Sequence, residues 1–286
     1  MSSILTNNSA MVALQTLKSI NSNLAKTQDQ IATGKDIVGA KDNSAIWAIS
    51  KVMESDVSGF NAVSDSLAIG ESTVAVASAG AEEIVNVLKE MKELAISGAS
   101  ETADFAKIEA DMAEKEAQIT AIIGASQFNG VNLLKTDADG NGGTQLTVIS
   151  SLDRAGANTS ANGNAPTIST IDVATADFEA GLAVAGRTAV ADAADAQTAL
   201  TEIEGFLQVA IEGAAALGAS GKRISDQNSF VGKLTDAMKA GIGSLVDADM
   251  EEASARLQAL QTQQQLGVQA LSIANQAPQT ILSLFR

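Results

Sequence analysis

From Ile46 to Ala95 an apolar residue returns at alternating spacings of three and four, without a slip, for 50 residues. The positions are Ile46, Ile49, Met53, Asp56, Phe60, Val63, Leu67, Gly70, Val74, Ala77, Ala81, Ile84, Leu88, Met91 and Ala95, and only Asp56 and Gly70 are not apolar side chains. That spacing lines up one stripe on one face of an α-helix. At 1.5 Å per residue the helix is roughly 75 Å long, too long to fold back within a compact domain. It needs partners along its whole length.

A second long stripe answers it: Ala196, Leu200, Ile203, Leu207, Ala210, Ala214, Leu217, Gly221, Ile224, Asn228, Val231, Thr235, Met238, Ile242 and Leu245. Two shorter stripes bracket the pair. One runs Ala10, Leu14, Leu17, Asn21, Leu24, Gln28, Ile31, with Thr6 or Asn7 as its cap. The other, after a change of phase, runs Met250, Ala253, Leu257, Leu260, Gln264, Gly267, Leu271, Ala274, Pro278, Ile281 and Phe285, with Asp249-Met-Glu-Glu252 as a capping box. Polar residues on a seam weaken it but fix its register. Residues 33–44 are expected to be a connector, because Gly34 and Gly39 interrupt the pattern and Asp42 or Asn43 can cap the next helix. Ser97-Gly98 ends the long helix, and Phe105, Ile108, Met112, Ile119 and Ile122 mark a shorter one. Residues 128–175 are rich in Gly, Asn, Thr and Ser around two strand-like runs, 145–150 and 167–173, and helix is expected again from about residue 176.

The expected fold is mainly α. It is an elongated antiparallel coiled-coil rod with paired N- and C-terminal helices and a small β-hairpin insert. Its expected parts are residues 1–44 with 247–286, residues 45–135 with 176–246, and the insert 136–175. Composition agrees. Apolar residues make up 45% of the chain but aromatics only 3%, with one Trp and no Tyr, which suits long narrow helix seams. The two prolines, Pro166 and Pro278, leave residues 1–165 free of helix breakers.

The last stretch is of another kind. Leu257 to Phe285 holds no charged residue, yet eight glutamines are threaded among its apolar positions. An exposed helix usually carries Lys and Glu on its wet face, and a membrane span needs about 18 or more apolar residues in a row. Neutral amides suit a helix enclosed by other protein, where a charge would be costly to desolvate. Charge is uneven along the whole chain. Residues 1–41 set four lysines against two aspartates, residues 250–286 are neutral, and the acidic middle carries −18 of a net charge of −16. Such a middle repels nucleic acid and anionic lipid. Near-neutral ends let many copies gather.

Catalytic chemistry finds little support. The chain has no Cys and no His, which excludes disulfides, Cys/His zinc sites and the nucleophilic triads built on those residues. Asp137-Ala-Asp139-Gly-Asn141-Gly142 copies the start of a calcium loop, but the twelfth position is Val148 instead of Glu, so a Gly/Asn-rich turn is the better reading. Gly218-Ala-Ser-Gly221-Lys222 is a chance likeness to a phosphate loop, since Arg223 stands where Ser or Thr belongs. Acidic pairs such as Glu82/Glu83 and Glu251/Glu252 fit a solvated helix face. The chain is expected to be no enzyme and to use no cofactor or metal. Its first ten residues lack the basic and apolar regions of a secretory signal.

Leu266-Gly-Val-Gln-Ala-Leu-Ser-Ile-Ala-Asn-Gln-Ala-Pro-Gln-Thr-Ile-Leu-Ser-Leu284 is similar to the C-terminal signature of bacterial flagellins. Asn7 to Leu24, Thr33-Gly34-Lys-Asp-Ile37, Ala40-Lys-Asp42-Asn43-Ser-Ala45 and Phe128-Asn-Gly-Val-Asn-Leu-Leu134 resemble the family's N-terminal region. The resemblance implies a subunit that self-assembles into the extracellular filament of the flagellum and gives motility. A hook–filament junction protein of the same family is the alternative. It further implies export through the flagellar type III apparatus, a chaperone for the C-terminal helix, and contact with filament cap and hook-associated proteins. The terminal helices would form the filament's inner core, with Leu14, Leu17, Leu24, Ile31, Leu257, Leu260, Leu271, Ile281 and Phe285 on the assembly seam. In the stretch matching the family's immune-receptor epitope, Leu88-Lys-Glu90-Met-Lys-Glu-Leu94-Ala, Glu90 stands where an Arg is expected. Weak activation of the Toll-like flagellin receptor is therefore expected.

Overall fold

The computed structural model describes residues 7–153 and 167–283, with side chains as far as Gln276. Among the described residues six α-helices and one hairpin appear in the order α1 (Asn8–Thr33), α2 (Ser44–Gly98), α3 (Phe105–Ala125), β1 (Gln145–Asp153), β2 (Thr167–Ala174), α4 (Phe178–Gly181), α5 (Ala193–Val246) and α6 (Met250–Ser283). The chain forms two compact units, residues 1–57 with 237–286 and residues 58–236, so the divide falls within α2 and within α5.

In the larger unit α2 and α5 run antiparallel. Ser64 Oγ bonds Asn228 Oδ1 at 2.7 Å, and Lys92 Nζ lies 2.9 Å from Glu204 Oε1. The stripe predicted for α2 is buried without interruption from Phe60 to Ala95, and Ile203, Ala210, Leu217, Ile224 and Val231 of α5 are sealed against it. α3 adds Met112, Ile119 and Ile123; its inward face takes Ile123, while Ile122 is only half-buried.

The hairpin lies on the helices because α2 lacks a side chain where they meet. A Cβ at Gly70 would stand 2.6 Å from Val148 Cγ2, well inside contact distance, so Gly70 on the seam is a place of close approach. β1 and β2 pair antiparallel, with Val148 opposite Ile171 and a bulge between Ile149 and Ser151. A bulge leaves a backbone group unpaired. Gln227 Nε2 of α5 donates to the Ser150 carbonyl at 2.8 Å and meets that need.

Helix does not return at residue 176. α4 is a single turn, a 3-10 turn follows at Val184–Gly186, and α5 begins only at Ala193. This connector is held by charge. The Arg187 guanidinium, almost sealed, forks onto Glu109 of α3 with both bonds at 2.9 Å and meets Glu116 as an ion pair. Val190 N–H donates to Glu109 Oε2 at 2.9 Å, and Thr188 donates through its N–H and hydroxyl to Glu202 of α5.

The Asp137 loop is a turn. Its carboxylate accepts from the N–H groups of Asp139, Gly140 and Gly142, with Gly140 and Gly142 at positive φ. Those bonds, that from Gly142 foremost, hold the Asp137 carboxyl below its ordinary value.

Candidate assembly surface

The smaller unit pairs α1 with α6, antiparallel. Leu17 faces Gly267, where an added Cβ would meet Leu17 Cδ1 at 3.1 Å, and Gln264 Nε2 donates to Asn21 Oδ1 at 2.8 Å. The pair is tied at its connectors by a bridge between Lys35 and Asp247, with Asp36 N–H donating to the Val246 carbonyl at 2.7 Å and Ala248 N–H to the Gly34 carbonyl at 2.9 Å. Gly34, at φ 70°, makes the left-handed turn that ends α1. The predicted Asp249 cap is present, accepting from Glu251 and Glu252 N–H, while Glu252 turns to Arg256.

Asn7 works at both helices. Its Oδ1 caps α1 by accepting from Ala10 N–H, and its Nδ2 donates to the Ala274 carbonyl of α6 at 2.8 Å. Pro278, four residues on, brings no N–H to that carbonyl. Asn7 supplies the donor that the proline withholds, and α6 continues to Ser283.

This pairing covers little. In α1 the buried residues are Thr27 and Gln30, both polar, and in the described part of α6 they are Ala253 and Leu260. Of the predicted seam residues, Leu17, Leu24, Ile31, Leu257 and Leu271 are half-buried between the two helices, and Leu14 is exposed. Ile281 lies on α6 with its side chain outside the described residues, and Phe285 lies outside them altogether. Gln28, expected on the seam, faces solvent, and its neighbour Thr27 takes the inward place. Met11, Val12 and Leu14 on α1, and Leu266, Val268 and Ile273 on α6, stand in water. Leu266 and Ile273 are two turns apart on the face of α6 turned from α1, with Ile273 68% exposed. From Leu257 to Ser283 no charge accompanies them. A helix pair that wets this much apolar surface is built to meet further protein.

In the stretch expected to match the family's receptor epitope, Leu88 is fully buried, Leu94 half-buried and Glu90 exposed, its carboxylate 2.6 Å from Lys115 Nζ of α3.

Residues 4–139 match the bacterial flagellin N-terminal helical region, and residues 191–285 match the bacterial flagellin C-terminal helical region. The chain belongs to the bacterial flagellin family. Flagellin FljK of Caulobacter vibrioides is 43% identical over the whole of this chain and 99% of its own, and FljM of the same organism is 41% identical over the same shares. A flagellin of Brucella melitensis is 42% identical over the full length of both. A crystal structure of Bacillus cereus flagellin aligns with 66% of this chain and 93% of its own at 20% identity and a TM-score of 0.40, too distant to argue from. As a flagellin the protein is a structural subunit of the extracellular flagellar filament, which assembles from copies of it and serves motility. Among the described residues no helix is long and apolar enough to cross a membrane.

Proposed function

We propose that the α1–α6 pair is the surface through which copies of this flagellin join, forming the inner layer of the filament. Leu14, Leu17, Leu24, Ile31, Leu257, Leu260, Leu271, Ile281 and Phe285 then lie on or beside the contacts. One observation carries the reading: apolar side chains stand in water on the faces of both helices that the pairing does not use. Helices covered by neighbours can dispense with charge, and α6 does so beyond Arg256.

Before assembly the same face needs a cover, and an export chaperone seated on α6 would supply it. Cap and hook-associated proteins would meet the same helices at the two ends of the filament. Export as an unfolded chain suits a sequence without cysteine. The exposed Glu90, paired with Lys115, puts an acid where the receptor of other flagellins meets an Arg, so purified monomer should activate a receptor reporter weakly. A strong response overturns that point.

Removing residues 257–286 should leave a soluble chain that never forms filaments, judged by sedimentation and negative-stain microscopy. Leu271→Asp and Ile273→Asp should act alike. The second is the cleaner test, because Ile273 touches water in the isolated chain and its replacement spares the monomer. Normal filaments from Ile273→Asp would refute the proposal.

A further inference from the structure

Among the described residues the methionines are sorted by unit. Met91 and Met112 of the larger unit are fully buried, while Met11 and Met250 of the smaller unit are 59% and 44% exposed. Met53 and Met238, also of the smaller unit, are half-buried. Met11 lines an open groove with Ala10, Leu14 and Leu271, between the two helices of the terminal pair. Met250 is the first residue of α6. A thioether in water is open to peroxide, and one sealed in a core is shielded from it.

We propose that Met11 and Met250 are oxidation sites through which peroxide stops this flagellin from assembling. The inference rests on the assembly reading of α1 and α6. In the step, hydrogen peroxide transfers one oxygen to the thioether sulfur. Sulfur loses two electrons, the O–O bond breaks and water leaves. The product is a polar sulfoxide in place of a flexible apolar tip. In the free chain the sulfoxide is hydrated at no cost. At a copy–copy contact it must be desolvated or leave a gap, so oxidised subunits should fail to add. Sulfoxide formation is reversible by methionine sulfoxide reductases, so the subunit is recoverable.

The test uses the full chain. Monomer is treated with hydrogen peroxide, the sulfoxides are mapped by mass spectrometry, and polymerisation is followed by sedimentation. Met11 and Met250 should oxidise well before Met91 and Met112, and the critical concentration should rise about tenfold or more. The critical concentration of Met11→Leu/Met250→Leu should be the same before and after peroxide, and reductase treatment should restore the oxidised wild type. Filaments given the same peroxide should retain unmodified Met11. Normal assembly of fully oxidised monomer overturns the proposal. So does equal inhibition of the double variant, or equal oxidation of Met11 in filament and monomer. The assembly reading fails separately, if Ile273→Asp forms filaments.

Discussion

Asn7 joins two facts that lie 267 positions apart. Its carbonyl oxygen starts α1 and its amide fills the gap that Pro278 leaves in the hydrogen bonding of α6. Asn7→Ala should cost about 1–2 kcal/mol in the stability of the terminal pair, from a lost cap and an unsatisfied carbonyl. The carbonyl part should vanish in a Pro278→Ala background, where the substituted residue offers its own N–H. A double-mutant cycle by urea unfolding measures that coupling, and strict additivity would contradict it. Arg187 is the other residue on which much hangs. Arg187→Ala strands Glu109 and Glu116, and should cost about 2–3 kcal/mol, less than a fully sealed pair because Glu109 keeps about a third of its side chain in solvent. Burial pushes the Glu109 carboxyl up, but the bonds from Arg187 and Val190 N–H outweigh it and hold its pKa below the ordinary 4.5. A depressed folded-state pKa means stability present above the unfolded value and lost as pH falls through the folded one. Thermal stability should therefore drop as pH falls below about 4.5, and Glu109→Gln should flatten that drop in melts taken across this window.

The helices differ in how legible they are from sequence. α2 from Phe60 to Ala95 is readable in full, because one stripe meets one partner and the heptad spacing states which face is dry. Ile49 and Leu245 keep the same spacing yet are exposed, since spacing says which side a residue is on and not whether anything covers it. In α1 the spacing points to Gln28, while Thr27 and Gln30 are the buried residues. Gln30 is drawn in by its bond to Asp36 at 2.6 Å in a connector fixed to the other end of the chain. No local pattern carries that. Residues 176–192 resemble helix by their alanine content, but Arg187 and Thr188 hold them as a connector through acidic partners on α3 and α5 respectively. The proposed assembly surface is legible in the missing charges of α6, and the role of Asn7 is not. Glycines make the same distinction testable. Gly218 has open space around its Cβ position, so Gly218→Ala should stabilise α5 by about 0.5–1 kcal/mol. Gly70→Ala gains the same propensity but drives a methyl into Val148, and should cost about 1–3 kcal/mol overall. Chemical denaturation compares the two, and Gly70→Ala/Val148→Ala should recover part of the loss.

At the scale of the molecule the two units divide the labour by charge. The unit of residues 58–236 sets 25 acidic residues against ten basic ones, while the unit containing both chain ends sets nine against eight. Many copies can bring near-neutral ends together without mutual repulsion, and the acidic units favour separation and solubility. The proposed assembly requires α1 and α6 to be wet in the single chain and dry in the filament. Hydrogen–deuterium exchange of monomer and filament, compared peptide by peptide, tests this most directly. Peptides covering residues 8–33 and 250–276 should exchange readily in the monomer and become strongly protected on assembly, while those from Phe60 to Ala95 are protected in both. Equal protection of the terminal helices in both states would contradict the account.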